Sequence, residues 1–240
     1  MKDAQHLIEI TCKKYAECKS YSDVGVARTD NDAAIRDLRF KTAFARDDRF
    51  RFEFRQYHPH LGKSGPDTIS VVWSNGTRHT FCSSLIGSKD YGNLIGPVSA
   101  ATGISAASVI HIPSLLMPDL FAIRPTWLEL EGARILREEI LGDSKCLVLT
   151  GFRRITEYSV WIDSKEFCIR KIVSTMRTTA SANEEMRQQM QKFVDEGKIP
   201  ANFSIPNFDL NDMVTTYSYS NIEFDQSIAQ SELEPNFPEE

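Results

Sequence analysis

The sequence predicts a mainly β fold with a few helices: one incomplete, strongly curved antiparallel β-barrel of about ten strands, its concave face covered by helices. Three observations carry this. Short alternating segments recur from residue 22 to residue 176 with turn-forming residues between them. One of them, Phe50-Arg51-Phe52-Glu53-Phe54-Arg55, sets three phenylalanines on one face and three charges on the other, the pattern of an antiparallel strand wetted on one side. Between residues 95 and 118 runs a stretch without Asp, Glu, Lys or Arg, broken by Gly96, Pro97, Gly103, Pro113 and Pro118. It is too apolar for a surface loop and too interrupted for one long helix, so it must pack on something apolar.

The elements follow in order. Residues 3–19 read as an amphipathic helix, with Leu7, Ile8, Thr11, Tyr15 and Cys18 on one face and Lys13, Lys14 and Glu17 on the other. Residues 22–28 form a short strand ended by Thr29-Asp30-Asn31-Asp32. Residues 36–45 and 50–57 pair as a hairpin. A loop from Ala45 to Arg49 sets Phe44 opposite Phe50, Thr42 opposite Phe52 and Phe40 opposite Phe54, with Lys41 facing Glu53 outside. A tighter loop would scatter the aromatics onto both faces, and register follows the buried face. Residues 68–74 and 77–83 flank Asn75-Gly76, a strong hairpin signal; a turn centred there pairs Trp73 with Arg78 and Val72 with His79.

Residues 84–128 break the strand rhythm and read as a lid of short helices and turns. Strands return at 131–140, 145–151, 155–162 and 167–176 as a meander. Residues 182–196 read as a helix, rich in Glu, Gln and Met, that opens an insert spanning 182–210. A last strand covers 214–224. With 240 residues, no internal repeat and no dividing linker, the expectation is a single domain over 1–240.

Composition narrows the function. The net charge of −5 argues against nucleic acid as a partner, because that affinity comes from Lys and Arg neutralising phosphates. Five cysteines stand at 12, 18, 82, 146 and 168, with no Cys-x-x-Cys; they read as small buried hydrophobes. His58-Pro59-His60 is the one close histidine pair, and no third ligand accompanies it. Nucleophile-elbow, phosphate-loop, metalloprotease and dinucleotide patterns are absent from the sequence. No metal, cofactor or catalytic residue is therefore assigned. The candidate site is apolar. Phe40, Phe44, Phe50, Phe52 and Phe54 supply its floor, and Ile104, Ile110, Leu115, Leu116, Met117 and Phe121 its cover.

The order of several motifs resembles the periplasmic lipoprotein-carrier superfamily (LolA/LolB-like). Tyr15-Ala16-Glu17-Cys18-Lys19-Ser20-Tyr21 ends the leading helix as in that family. Phe44 to Glu53 is similar to its second hairpin, Val71 to Thr77 to its Asp-Gly turn, Tyr158 to Ile172 to its Ile-Asp hairpin, and Tyr217 to Ile222 with Phe237-Pro238 to its closing strand and tail. Arg46 stands where the family carries proline, and Asn75 where it carries aspartate. The resemblance implies a half-barrel that binds or transports a hydrophobic ligand, a lipid or a lipoprotein acyl chain, without catalysis. It also implies a periplasmic or otherwise extracytoplasmic protein whose leader has been removed, with peripheral or transient membrane contact and a possible envelope protein partner. An envelope sensor or a protein-binding module with a self-filled groove is the alternative, and a hydrolase of an apolar substrate a third.

Overall fold

The structure, a computed structural model, describes residues 3–30, 35–56, 67–120, 125–177, 180–196 and 212–234. Helix α1 (Ala4–Glu17) is capped by Asp3, whose carboxylate accepts from the Gln5 backbone N–H at 3.1 Å. It buries Leu7, Ile8, Thr11 and Tyr15, the face that the apolar spacing predicts. Strands β1 (Ser20–Asp30), β2 (Ile35–Ala45), β3 (Arg49–Gln56), β4 (Thr68–Asn75), β5 (His79–Ser83) and β6 (Gly87–Tyr91) follow as a meander. The chain then crosses the sheet through helices α2 (Ile95–Thr102), α3 (Ser108–His111) and α4 (Pro113–Leu116) and a 3-10 turn at Thr126–Leu128. A second meander comprises β7 (Glu131–Leu141), β8 (Ser144–Arg153), β9 (Thr156–Asp163) and β10 (Ile169–Met176); helix α5 (Ala180–Asp195) and strand β11 (Met213–Phe224) follow.

Among the described residues, eleven strands form one antiparallel sheet, ordered β6-β5-β4-β3-β2-β1-β11-β10-β9-β8-β7. The two meanders meet where β1 pairs with β11. The sheet is curved and not closed, with β6 and β7 as its edges and α2 to α4 on the chain that links them. The eleventh strand, β6, lies inside the segment expected to be wholly lid. Its sequence, Gly-Ser-Lys-Asp-Tyr, is short and polar, and only its edge position lets it pair on one side without an apolar face.

Alternation decides the faces. On β2 and β3, Leu38, Phe40, Thr42, Phe44, Phe50, Phe52 and Phe54 are buried. The observed partners Phe44–Phe50, Thr42–Phe52, Phe40–Phe54 and Lys41–Glu53 are those that burial of the aromatic face requires. The next hairpin differs from expectation. Trp73 pairs with Thr80, and Val72 with Phe81, because the turn is centred on Gly76-Thr77. Asn75 sits before it, and its side-chain oxygen accepts from the backbone N–H of Thr77 at 3.1 Å and of Arg78 at 2.8 Å. Gly76 takes φ +89°, which glycine alone adopts at no steric cost. The register moves by two, which preserves the alternation of faces.

The main core joins the inner faces of both meanders to α1, to the linking helices and to Trp127. On the outer face, Cys146, Val148 and Trp161 form a separate small cluster. After β11 the chain crosses to the outer face, where helix α6 (Gln230–Leu233) buries Leu233, and Trp73 Nε1 donates to the Leu233 carbonyl at 2.7 Å.

Candidate functional site

The floor of the site is a row of rings on neighbouring strands. Phe40 stacks on Phe52 at 5.5 Å between centroids, Phe52 meets Phe54 at 6.0 Å, and Phe40 meets Tyr219 edge-on at 5.6 Å. Offset and edge-on contacts of this kind add about 0.5–1.5 kcal/mol each beyond the area they bury. The five predicted phenylalanines are 0–2% exposed. Phe40 fits because its cross-strand neighbour on β1 is Gly25. A Cβ built at Gly25 would lie 2.1 Å from the Phe40 ring.

The cover is α2 to α4. Val98, Ala101, Val109, Ile112, Leu115, Leu116 and Met117 are buried in the same core as the rings. Ile110 is half-buried and packs on that core. Ile104, read from sequence as part of the cover, is 43% exposed. It falls in the turn between α2 and α3, where Ala106 and Ala107 take positive φ values of 49° and 60°. Phe121 lies outside the described residues, as do His58 and His60.

The lid satisfies most of its own polar groups. The hydroxyls of Thr102, Ser105, Ser108 and Ser114 donate to backbone carbonyls within it. This suits a segment that packs as a unit, since buried hydroxyls need partners. Among the described residues, side chains of Tyr217 and Arg46 tie it to the rest of the fold. Tyr217 OH donates to the Ala106 carbonyl at 2.7 Å. Arg46 Nη1 donates to the Leu116 carbonyl at 2.6 Å, while its Nε and Nη2 donate to Cys18 O at 3.0 and 2.8 Å and Nη2 also to Tyr15 O at 3.1 Å. The guanidinium lies 4.8 Å from the Phe44 ring centroid. One side chain from the β2–β3 loop thus joins the C-terminal ends of α1 and α4. Beside it opens a depression of about 490 Å³, lined by Arg46, Ser74, Leu94, Met117, Pro118 and Leu120.

Polar groups also stand inside. His111 on α3 is buried, its ring edge-on to Tyr217 at 4.4 Å, and among the described residues neither ring nitrogen has a hydrogen-bond partner. Burial alone pushes its pKa down to about 4. Asp23 on β1 is buried on the inner face. Burial raises its pKa to about 6, only partly offset by the hydrogen bond it accepts from Tyr21. Sequence reasoning passed over Asp23. Its signal was parity: it alternates with Tyr21, Gly25 and Ala27, so a carboxylate takes an inward position.

Among the described residues no group of three His, Cys, Asp or Glu side chains is placed to hold a metal ion. Among the described residues no disulfide joins any of the five cysteines. The side chains of Ser74 and His79 meet at 2.9 Å, but Ser74 Oγ also accepts from the Gly76 N–H; the pair braces the β4–β5 turn.

No protein-family model and no curated protein matches the sequence. Solved structures do resemble it. MucB of Pseudomonas aeruginosa, in its complex with MucA, aligns with 98% of this chain at a TM-score of 0.48 and 10% identity; the chain spans 62% of MucB's length. A LolA-superfamily protein from Nitrosomonas europaea aligns over 98% of this chain and 99% of its own at a TM-score of 0.33 and 12% identity. LprF from Mycobacterium bovis aligns over 94% of both chains at a TM-score of 0.44 and 7% identity.

Proposed function

We propose that this protein is a non-catalytic carrier that holds the alkyl chain of a lipid or lipoprotein between the phenylalanine floor and the lid. The carrying observation is the division of labour in the core. The floor is built on continuous strands, whereas the cover is a separate chain segment. In the closed form described here the protein's own side chains fill the space, so an alkyl chain takes their place as the lid shifts. Release of Arg46 from Leu116 is the step that frees the end of α4. Each methylene buried contributes roughly 0.8 kcal/mol, so a long chain offsets the contacts the lid gives up. The floor residues are Phe40, Phe44, Phe50, Phe52 and Phe54, and the cover residues are Ile110, Leu115, Leu116 and Met117.

Cell-envelope location, transient membrane contact and a protein partner accompany this reading as parts of the proposal. Among the described residues no helix is long and apolar enough to cross a membrane. Native mass spectrometry and lipid extraction of the purified protein test the reading. A co-purifying lipid, or saturable capture of the hydrocarbon dye diphenylhexatriene, is the expected result; neither in any preparation refutes it. A second reading, a protein-binding module with a closed core, draws on the 0–2% exposure of the five rings and predicts no lipid at all.

A further inference from the structure

The row of rings ends in a polar cluster that the packing leaves unfinished. In the β1–β2 register Asp23 stands opposite Thr42, and Gly25 stands opposite Tyr219 across the β1–β11 pair. Asp23 Oδ2 accepts from Tyr21 OH at 2.7 Å. Among the described residues Asp23 Oδ1, Thr42 Oγ1 and Tyr219 OH have no hydrogen-bond partner, and the three residues are 3%, 2% and 5% exposed. Tyr15 of α1 closes the cluster, its ring 5.3 Å from that of Tyr21. Among the described residues the titratable groups that face the carboxylate are Tyr15, Tyr21 and Tyr219.

Buried polar groups are almost always paired, and a buried carboxylate without a counter-charge is the most costly exception. A core that only had to pack would carry Val or Leu at position 23. The cluster is also placed for a purpose. Tyr219 touches Phe40, Phe40 touches Phe52, and Phe52 touches Phe54, so a chain lying along the floor would bring its head to Asp23. The neighbouring Tyr217 anchors the lid, while Tyr21 packs against Tyr15 of α1. The cluster therefore sits at the seam between the two covers.

We propose that Asp23, Thr42 and Tyr219 form a subsite for the hydrogen-bond-donating head of a single-chain amphiphile, taking an ammonium before a hydroxyl and rejecting a carboxylate. This rests on the reading that an alkyl chain enters beneath the lid. The donor head would supply the hydrogen bonds that Oδ1 and the two hydroxyls lack.

Displacement of diphenylhexatriene at neutral pH by dodecylamine, dodecanol and dodecanoate tests it, since the three probes share one chain length. Dodecylamine should bind wild type about tenfold or more tighter than dodecanoate, with dodecanol between, as a charge-assisted hydrogen bond in a buried site requires. Asp23→Asn should collapse the amine-to-carboxylate ratio to within about twofold, and Thr42→Val and Tyr219→Phe should each lower it. A ratio is read in each variant so that a change in overall capture cancels. If diphenylhexatriene is captured but the three probes bind wild type equally, or Asp23→Asn keeps the wild-type ratio, the subsite is wrong and the apolar site stands. If wild type captures no diphenylhexatriene, the apolar site itself fails and the subsite with it.

Discussion

Each half of the sheet buries an aspartate, and the two are treated oppositely. Asp163, at the end of β9, accepts from the backbone N–H groups of Lys165 and Glu166 at 3.0 and 2.9 Å and pairs with Arg170 at 3.2 Å. Burial alone would push its carboxyl up; the two N–H groups, Ser144 and Arg170 outweigh it and hold the pKa below the usual carboxylate range. Asp23, on β1 in the other half, has one tyrosine hydroxyl on one oxygen and nothing on the other. Its pKa rises to about 6. The first arrangement closes a turn and asks for nothing more. The second leaves a charge in an aromatic interior, beside the rings that the proposed ligand would lie on. Structural carboxylates are completed by their own chain, so an incomplete one points to something that arrives later.

The surrounding packing differs in the same way. Around Asp163 the inner face is aliphatic, with Leu147, Leu149, Val160, Ile162, Ile169 and Ile172 buried, and the outer face has its own cluster under Trp161. Around Asp23 the inner face is aromatic and the outer face carries the Arg51–Glu53–Arg55 ion-pair chain.

The largest expected effect tests the aromatic half. Phe52→Ala should cost about 3–5 kcal/mol in denaturant unfolding, and filling of the resulting cavity by diphenylhexatriene would recover part of it. A loss under 1 kcal/mol would mean that the floor is not tightly packed. Next is the pH dependence of the two aspartates. Because the folded pKa of Asp23 lies above its unfolded value, its contribution is full below pH 3.8 and is lost as pH rises through about 6. The loss is on the order of 3 kcal/mol. Asp23→Asn should remove that downward slope. Asp163 has the opposite sign: its stabilisation is present above the ordinary carboxylate range and is lost as pH falls through its lowered pKa. Asp163→Asn should therefore destabilise at neutral pH and flatten the acid limb. Identical pH profiles for the two variants would erase the contrast.

His111 gives a third slope in the lid. Its folded pKa of about 4 lies below 6.5, so its contribution is present above pH 6.5 and lost as pH falls toward 4. His111→Phe keeps a ring against Tyr217 and should remove that loss. Gly25→Ala should cost about 1–3 kcal/mol by driving a methyl into Phe40, with Phe40→Leu in the same chain restoring part of it. The smallest effect belongs to the latch. Arg46→Ala should cost about 1–2 kcal/mol overall, while amide exchange in α4 and at the end of α1 speeds up well beyond that in β3. Uniform exchange would show that Arg46 does not hold the lid.

Much of this was legible in the sequence because burial on one face leaves a period of two. Phe50-Arg51-Phe52-Glu53-Phe54 admits one register against β2, and that is the observed one. The β4–β5 register was not legible from Asn75-Gly76, because an asparagine can lie in the turn or brace it from outside, and only its side-chain bonds decide. Strand β6 was hidden because an edge strand needs no apolar face. Ile104 was misplaced because composition alone does not say which apolar residue of a broken helical segment sits on the outer corner. Asp23 was readable by parity, but its lack of partners is a three-dimensional fact.

The three tryptophans divide between the faces, and this allows the most direct test of ligand placement. Trp127 is buried in the main core with the rings, whereas Trp73 and Trp161 lie on the outer side of the sheet. Quenching by a bromine-labelled dodecanol is measured in two variants: Trp73→Phe with Trp161→Phe, which keeps Trp127, and Trp127→Phe, which keeps the outer pair. The account predicts saturable quenching in the first and little in the second. Quenching confined to the outer tryptophans, with Trp127 untouched, would contradict it.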